Sequence, residues 1–321
     1  MEFKHISVLL NESIDLLKVK PDGVYADGTL GGGGHSSLIC SRLSEDGMLI
    51  GIDRDETALA AAGERLQAYS CRKELCHENF FNIRKVLNRL NIDKIDGAIL
   101  DLGVSSPQLD VAERGFSYNS CARLDMRMDR SAELDAYKVV NTYDEKRLAD
   151  IIFGYGEEKF SRRIARAICA ERKVKPIETT TELSDIIKSA IPPAARYADK
   201  HPAKRTFQAI RIEVNGELLQ LSSLLENIIF AMNENGRIAI ITFHSLEDRL
   251  VKNAFSKLQK PCTCPPEFPV CVCGKRSYGQ VVGKVITATE EEIARNPRSR
   301  SAKLRVFEKK TDLNQRRKIF E

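Results

Sequence analysis

Acidic residues and glycines in two short segments near the amino terminus have the spacing of a ligand site. The first segment, Tyr25–Ser36, reads YADGTLGGGGHS, and the second, Gly51–Asp55, reads GIDRD. Glycines let the backbone approach a ligand closely, and an acid about twenty residues past such a loop can bind a ribose. Asp53 stands at that distance from Gly33. The two segments therefore indicate a site for a nucleotide-like ligand.

The details of the glycine loop discriminate between possible ligands. The dinucleotide fingerprint G-x-G-x-x-G/A fails in both possible registers, because Ser36 or Ser37 occupies its third position. Asp27 stands at the mouth of the loop, where a carboxylate would repel a pyrophosphate and attract an ammonium group. S-adenosylmethionine carries an ammonium, a sulfonium and a ribose but no phosphate. The residues therefore favour S-adenosylmethionine over NAD.

Two further segments are expected at the same edge, since ligands of open α/β sheets bind beyond the carboxyl ends of the strands. Glu78–Phe81 follows a third strand candidate, and Asp101–Gln108 follows a fourth. Phe80 is expected either to stack on adenine or to pack in the core. Asp101 is expected to face the methyl donor, and Gln108 supplies an amide that both donates and accepts hydrogen bonds.

Alternating strands and helices must position these residues, and this alternation predicts a parallel sheet with helices on both faces. The predicted strands are Val24–Asp27, Met48–Asp53, Glu74–Glu78, Asp96–Asp101 and Gly236–Phe243. The predicted helices of this part are Ser36–Leu43, Glu56–Tyr69, Phe81–Leu90 and Leu246–Leu258. Two last strands, Gln280–Ile286 and Ala302–Glu308, are predicted to complete the sheet as an antiparallel hairpin.

The long interval between the fourth and fifth strands predicts an inserted all-α domain, because a βαβ unit needs only about 30 residues. Its predicted helices are Glu133–Val140, Asp144–Phe153, Glu157–Arg172 and Thr180–Ala190, and a helix Lys204–Met232 returns the chain to the sheet. The predicted domains are a discontinuous sheet domain, 1–107 with 205–321, and an inserted substrate-recognition domain, 108–204.

Composition narrows the class of protein. The 321 residues are 42% hydrophobic and 30% charged, with a net charge of +5, as in globular proteins. There is neither a long apolar run nor the apolar core of a signal peptide, so we expect a cytoplasmic protein without a membrane partner. Ten Lys and Arg against two acids between Arg295 and Lys318 favour a polyanionic partner such as nucleic acid. A solvated tail is the alternative.

Four of the nine cysteines cluster at Cys262, Cys264, Cys271 and Cys273. In a reducing compartment such a cluster suggests metal before disulfides, and four thiolates suit structural zinc. Against zinc, each pair has only one intervening residue, whereas two or more are usual. The neighbouring prolines alternatively indicate an extended, rigid loop. Both interpretations stay open.

Beyond these local patterns, the chain resembles the bacterial RsmH (MraW) family of S-adenosylmethionine-dependent ribosomal RNA cytosine-N4-methyltransferases. The matching stretches are His5–Glu12, Asp27–Ser36, Asp101–Asp110, Glu113–Ser117, Leu124–Asp129, Phe160–Ile168, His201–Ile212, Thr242–Arg249 and Asn296–Arg305. They cover nearly the whole chain in order, which is more specific than a single glycine loop.

The resemblance implies a class I, Rossmann-like methyltransferase fold with an inserted helical domain. It implies that the methyl donor is contacted by Gly33, Gly34, His35, Asp53, Phe80, Asp101 and Gln108. It also implies methylation of a cytidine in the decoding region of small-subunit (16S) ribosomal RNA. Many other amino-directed methyltransferases carry two prolines and an aromatic after the acid or asparagine of this loop. This chain does not, so catalytic roles are not transferred from them.

For the chemistry we expect Asp101 to accept the proton of the target amine, aided by the backbone carbonyls of Gly103–Ser106. His244 is expected either to bind substrate or to order its loop with Glu247. The expected partner is ribosomal RNA within an assembled small subunit, and a homodimer is possible. A nicotinamide-dependent oxidoreductase, a non-catalytic RNA-binding module and a methyltransferase for protein or small molecules are the alternatives.

Overall fold

The computed structural model describes residues 7–103, 111–193, 201–265, 267–270 and 272–310. The described residues form two compact units. One contains those up to Gly103 together with those from Gln220 onward, and the other contains those in between, ending at Leu219. In the described ranges, no helix combines the length and the apolar character that crossing a membrane requires.

A seven-stranded sheet, counted within the described residues, forms the centre of the first unit. Its strands are β1 (Val24–Asp27), β2 (Met48–Asp53), β3 (Arg72–His77), β4 (Ile95–Leu102), β5 (Met232–Thr242), β6 (Gly279–Thr287) and β7 (Lys303–Lys309). Their order is β3-β2-β1-β4-β5-β7-β6. Strands β1 to β5 run parallel, and β7 is antiparallel to both of its neighbours. The predicted parallel sheet with an antiparallel hairpin at its end is confirmed, with β7 inside and β6 at the edge.

Each described α-helix belongs to one of the two units except α10, which crosses the boundary between Leu219 and Gln220. In chain order they are α1 (Leu10–Leu17), α2 (Gly34–Cys40), α3 (Glu56–Leu66), α4 (Ile83–Arg89), α5 (Ala136–Thr142), α6 (Glu145–Gly156), α7 (Ser161–Val174), α8 (Thr180–Ala190), α9 (Lys204–Asn215), α10 (Glu217–Asn227), α11 (Ser245–Gln259) and α12 (Glu290–Arg295). Short 3₁₀ segments are Phe80–Asn82, Ala112–Arg114, Ile228–Ala231 and Pro297–Ser301.

The buried strands are apolar on both faces of the sheet, as expected where helices cover both sides. Ile238 and Ile240 of β5 pack with α4, α10 and α11 on one face. Ala239 and Ile241 of the same strand pack with α1, α2 and α3 on the other. Each fully buried isoleucine contributes about 1.5–3 kcal/mol relative to an exposed one. The two cores therefore hold the strand ends in fixed register.

The second unit has its own helical core, with Leu148, Ile152, Ile164, Ile168 and Ile187 among its fully buried members. Its helix starts follow local capping chemistry. Asp144 accepts a hydrogen bond from the Arg147 amide ahead of α6, and Thr179 with Glu182 forms a capping box at α8. These caps explain why the starts of α6 and α8 agree closely with the predicted ones.

Three sequence-based helix predictions in this region were wrong in their extent. The predicted helix Lys204–Met232 is broken at Gly216, whose left-handed φ of 60° ends α9. Glu157 has a left-handed φ of 49°, so α6 ends there and α7 begins only at Ser161. Asp135 caps α5 and delays its start from the predicted Glu133 to Ala136.

The second domain boundary also differs from the predicted position between residues 204 and 205. Helix α9 buries Phe207, Ile210 and Val214 in the helical core. Packing therefore assigns α9 to the helical unit, which ends at Leu219. The role of the helical unit in substrate recognition stays a prediction.

Candidate functional site

Three acidic residues stand at the carboxyl ends of neighbouring parallel strands. Asp27 ends β1, Asp53 ends β2, and Asp101 lies one residue before the end of β4. The register pairs Asp27 with both Gly51 and Ile99, which brings the three strand ends side by side. In the strand order β3-β2-β1-β4-β5, strands β2 and β3 lie on one side of β1, and β4 and β5 lie on the other. The strand order therefore switches between β1 and β4, and open α/β sheets bind ligands at such a switch point.

The glycine loop is a tight turn between β1 and α2. Gly31 and Gly33 have left-handed φ angles of 49° and 72°, which glycine adopts without the steric cost that a side chain adds. The Gly33 amide donates to the Leu30 carbonyl at 2.8 Å. A Cβ added to Gly34 would lie 1.8 Å from the Ser7 Oγ. Backbone conformation and close packing therefore explain why these positions are glycines.

Asp53 connects the glycine loop to the end of β2. Its Oδ2 accepts the Gly31 amide at 2.8 Å, and its Oδ1 accepts the Asp55 amide at 2.9 Å. Each carboxylate oxygen has two lone pairs, so both oxygens retain capacity for the hydroxyls of a ribose. Burial raises the pKa of Asp53. The predicted role of Asp53 in binding a ribose fits this geometry and stays a prediction.

Asp27 is only 2% exposed, and the protein uses both of its oxygens. Oδ1 accepts the Thr29 amide at 3.1 Å, and Oδ2 accepts the Ser36 hydroxyl at 2.7 Å. Burial raises the pKa of Asp27 to about 6. The carboxylate therefore ties the start of the glycine loop to α2. Direct contact between Asp27 and a ligand ammonium stays a prediction.

Asp101 differs from the other two acids because its Oδ1 is buried and has no hydrogen-bond partner within the described ranges. The Asp101 amide donates to the Thr29 Oγ1 at 2.6 Å, which fixes the backbone across 72 positions of sequence. Burial raises the pKa of Asp101 to about 6, and repulsion from Asp27 and Glu247 adds to it. An unsatisfied buried carboxylate oxygen is costly, so it marks the atom that a bound molecule would satisfy.

His35 lies beside Asp101 at the start of α2. Its Nε2 is 3.0 Å from the Val8 carbonyl oxygen; because a carbonyl only accepts, Nε2 carries the hydrogen. Its Nδ1 is 3.9 Å from the Asp101 Oδ2, beyond hydrogen-bond distance. His35 nevertheless lowers the pKa of Asp101 against the larger effect of burial. The site therefore contains His35 close to Asp101 but not bonded to it.

Phe80 begins the 3₁₀ segment that follows β3, and it is partly buried against the sheet core. A Cβ added to Gly28 would lie 2.9 Å from the Phe80 Cβ, so the aromatic residue sits directly beside the end of β1. The preceding Asn79 donates its side-chain amide to the Gln220 Oε1 at 2.9 Å. The packing interpretation of Phe80 matches the structure, while stacking on adenine stays a prediction.

His244 caps helix α11 in the structure. Its Nδ1 accepts the Glu247 amide at 3.4 Å, and the Glu247 Oε2 accepts the Phe243 amide at 2.8 Å. Its Nε2 lies 3.0 Å from the Glu247 Oε1, in an orientation that makes no hydrogen bond. Of the two roles expected for His244, ordering the loop explains its contacts. A role in binding substrate stays a prediction.

The predictions on Gln108, on Cys271 and on the carbonyls of residues 104–106 fall outside the described residues. Sequence reasoning missed Thr29 and Ser36 as partners of the acids, although both lie within Tyr25–Ser36. Part of the basic carboxyl-terminal segment is structural: Lys303 and Arg305 pair with Asp248 of α11 at 2.9 Å and 2.6 Å.

Asp53 keeps free lone pairs beside the glycine turns, and this donor set fits the ribose of S-adenosylmethionine. The buried Asp101 Oδ1 has the chemistry of a proton acceptor. Both roles stay predictions.

Comparison with known proteins identifies the family. The model of the MraW methylase family matches residues 2–310. A ribosomal RNA small subunit methyltransferase H of Clostridium botulinum (strain Kyoto) is 58% identical over 310 residues, which cover 96% of this chain and all of that protein. Proteins of the same name from Lachnospira eligens and Clostridioides difficile are each 56% identical over 310 residues, again 96% of this chain, and cover 98% and 100% of those proteins.

The match runs through both units and includes the glycine loop, the three strand-end acids and the antiparallel hairpin of β6 and β7. The predicted class I, Rossmann-like methyltransferase sheet is thereby confirmed. A family model that spans nearly all of the chain, with relatives above half identity along their whole length, leaves one conclusion: this chain belongs to the MraW methylase family.

Proposed function

We propose that the protein transfers a methyl group from S-adenosylmethionine to the N4 amine of a cytidine in the decoding region of small-subunit (16S) ribosomal RNA. The observation that carries the proposal is the buried Asp101 Oδ1, which has no hydrogen-bond partner among the described residues. This oxygen lies at the carboxyl ends of the parallel strands, near the glycine loop. The full-length relatives, named as ribosomal RNA small subunit methyltransferases H, support the RNA substrate.

Asp53 and the glycine turns would hold the donor, which supplies an electrophilic methyl group when bound. Asp53 retains lone pairs for the two ribose hydroxyls, since each of its oxygens accepts one backbone amide. Gly31 and Gly33, both with left-handed φ angles, would let the backbone approach the ligand without a side chain in between. His35, held by the Val8 carbonyl and with its Nδ1 3.9 Å from the Asp101 Oδ2, would lie next to the bound donor.

Asp101 would act on the acceptor amine. The lone pair of the cytosine amine is delocalised into the ring, so the amine is a weak nucleophile. A hydrogen bond from this amine to the Asp101 Oδ1 would favour a pyramidal, more nucleophilic nitrogen. Once the methyl group has been transferred to the amine nitrogen, the same Asp101 oxygen would take the proton that this nitrogen releases. A pKa of about 6 keeps Asp101 mostly ionised at neutral pH and still able to hold that proton.

The target base has to leave its stack to reach the strand edge, and cationic side chains have to hold the RNA backbone. Arg162 and Arg163 of α7 are exposed on the helical unit. They support the proposed role of this unit in RNA binding better than Lys303 and Arg305, whose charges are already paired.

The test is to map the methylated base. The protein would be incubated with isotopically labelled donor and either naked 16S RNA or assembled small subunits, and the nucleosides would be identified by mass spectrometry. We expect N4-methylcytidine at one decoding-region position, formed faster on assembled subunits. A methyl group on another atom or outside the decoding region would refute the assigned acceptor. Equal rates on both substrates would refute the need for assembly.

A further inference from the structure

The segment between α11 and β6 is largely exposed to solvent. From Lys260 to Arg276 its described residues form no helix or strand, and none of them is buried. Phe268, Val270 and Val272 are 47%, 67% and 72% exposed. Irregular stretches of this length are uncommon within compact domains unless they have a function or are held by some other means. The segment has no apolar core of its own to hold it.

Three cysteines are brought together within this segment. The Sγ atoms of Cys262, Cys264 and Cys273 all lie within 4.8 Å of one another. The three side chains are half-buried, whereas most of their described neighbours are exposed. Folding therefore places the thiols at the centre of the segment and the apolar side chains outside it, which is the reverse of hydrophobic packing.

The distances between the sulfur atoms distinguish a disulfide bond from a shared metal ion. The Sγ atoms of Cys262 and Cys273 are 3.8 Å apart. Disulfide sulfurs lie about 2.05 Å apart. Tetrahedral zinc with Zn–S bonds of about 2.3 Å separates its sulfurs by about 3.8 Å. The Val272 amide also donates to the Cys264 Sγ at 3.4 Å, a hydrogen bond that stabilises the negative charge of a metal-bound thiolate.

The short spacing of the cysteines is compatible with this arrangement. In an extended backbone, residues two apart point to the same side, so one intervening residue suffices for both thiols to face one ion. Proline restricts the residue before it to extended conformations, and Cys264 precedes Pro265. The prolines that suggested a rigid loop therefore help to direct the thiols.

We propose that Cys262, Cys264 and Cys273 bind one Zn²⁺ as thiolates, and that this ion holds the segment between α11 and β6. Soft thiolate ligands select zinc over the hard cations Mg²⁺ and Ca²⁺. The site is independent of the proposed methyl transfer, because no residue of the strand edge takes part in it. Cys271, the fourth cysteine of the predicted set, lies outside the described residues, and the proposal rests on the other three.

The test is the metal content of the full-length protein and of matched variants. Wild type, Cys262→Ser, Cys273→Ser and Cys121→Ser would be purified under reducing conditions without chelator, and metals measured by mass spectrometry. Cys121 is exposed and lies far from the segment in sequence, so its variant is the control. We expect one zinc per chain in wild type and control, and at least a tenfold lower zinc content in the other two.

Reconstitution of the apo protein with Co²⁺ provides a second readout that does not depend on the variants folding. Thiolate ligation gives wild type a sulfur-to-cobalt charge-transfer band in the near ultraviolet, which Zn²⁺ abolishes by competition. A wild-type protein that takes up no zinc and shows no such band would overturn the proposal. So would zinc retention in folded Cys262→Ser, or a disulfide between these cysteines in the protein as isolated.

Discussion

The carboxyl edge of the sheet and the cysteine segment hold reactive side chains in opposite ways. At the sheet edge, Asp27, Asp53 and Asp101 are carried by buried strands with a core on each face. In the cysteine segment, Cys262, Cys264 and Cys273 are carried by a chain without helix, strand or buried neighbours among its described residues. Both regions nevertheless place three ionisable groups close together.

The two regions differ in what fixes the positions of their reactive side chains. At the sheet edge it comes from hydrophobic burial and backbone hydrogen bonds, which exist before any ligand arrives. Such preorganisation suits catalysis, since the groups need not reorganise during the reaction. In the cysteine segment the same accuracy requires the proposed ion, because binding a metal there also orders the chain. Substitutions at the sheet edge should therefore affect activity more than removal of the ion.

The largest effect is expected for Asp101. Asp101→Ala or Asp101→Asn should lower the turnover of methyl transfer by about 10²–10⁴-fold, the usual contribution of a positioned proton acceptor. Donor affinity should change much less. The measurement is single-turnover methylation with saturating donor, beside donor binding by calorimetry.

Asp96→Asn is the control for Asp101, because Asp96 lies near the opposite end of the same strand, where it accepts the Val24 amide. This variant should keep its turnover within about twofold of wild type. Unchanged turnover in Asp101→Ala, with donor binding intact, would eliminate Asp101 as a catalytic group.

A smaller effect, on binding rather than turnover, is expected for Asp53. Asp53→Asn should weaken the affinity for S-adenosylmethionine about 10- to 100-fold, because hydrogen bonds to a charged group contribute about 1.5–3 kcal/mol. Turnover at saturating donor should be nearly preserved. Calorimetric titration with donor measures the change, and Asp46→Asn, an exposed acid of the same unit, should bind normally. A normal affinity in Asp53→Asn would argue against ribose binding there.

The pH dependence should reveal the burial of Asp101. Only the ionised carboxylate accepts a proton, and burial raises its pKa to about 6. The single-turnover rate should therefore rise about tenfold per pH unit below pH 6 and become constant above about pH 7. Asp27 raises the pKa of Asp101 by repulsion, so Asp27→Asn should move the midpoint to lower pH. A rate that is already constant at pH 5 would contradict this assignment.

The smallest effect on the sheet edge is expected from removing the proposed zinc. Treatment with a chelator should speed tryptic cleavage after Lys275 or Arg276, since the described part of the segment is then held by a few hydrogen bonds such as that from the Lys275 Nζ to the Thr263 Oγ1. Affinity for the donor should stay within about twofold, because the two cores of the sheet do not include the segment. Cleavage rates are measured by mass spectrometry with and without added Zn²⁺. Loss of donor binding on chelation would show that the sheet edge depends on the cysteine segment, contrary to this expectation.

Local patterns in the sequence were sufficient for much of the fold. The bounds of β1 and β2 agree with those predicted, because an apolar run that ends in an acid marks a buried strand and its end in both segments. Helix α8 agrees because its capping box is a local signal. Helices α1 and α12 were missed, and the break of the returning helix at Gly216 was not foreseen. A single glycine inside a helical pattern does not reveal whether its φ is positive.

Local sequence patterns were enough to predict which chemical groups reach the carboxyl edge, since spacing within a strand-loop-helix unit is a local property. The contacts that each group makes there depend on how distant parts of the chain fold together. Asp27 is bonded on both oxygens, Asp101 keeps one buried oxygen without a partner in the described ranges, and His244 caps a helix. The backbone amide of Asp101 donates to Thr29, 72 positions away. Burial and hydrogen-bond partners depend on such distant residues, which local patterns do not specify.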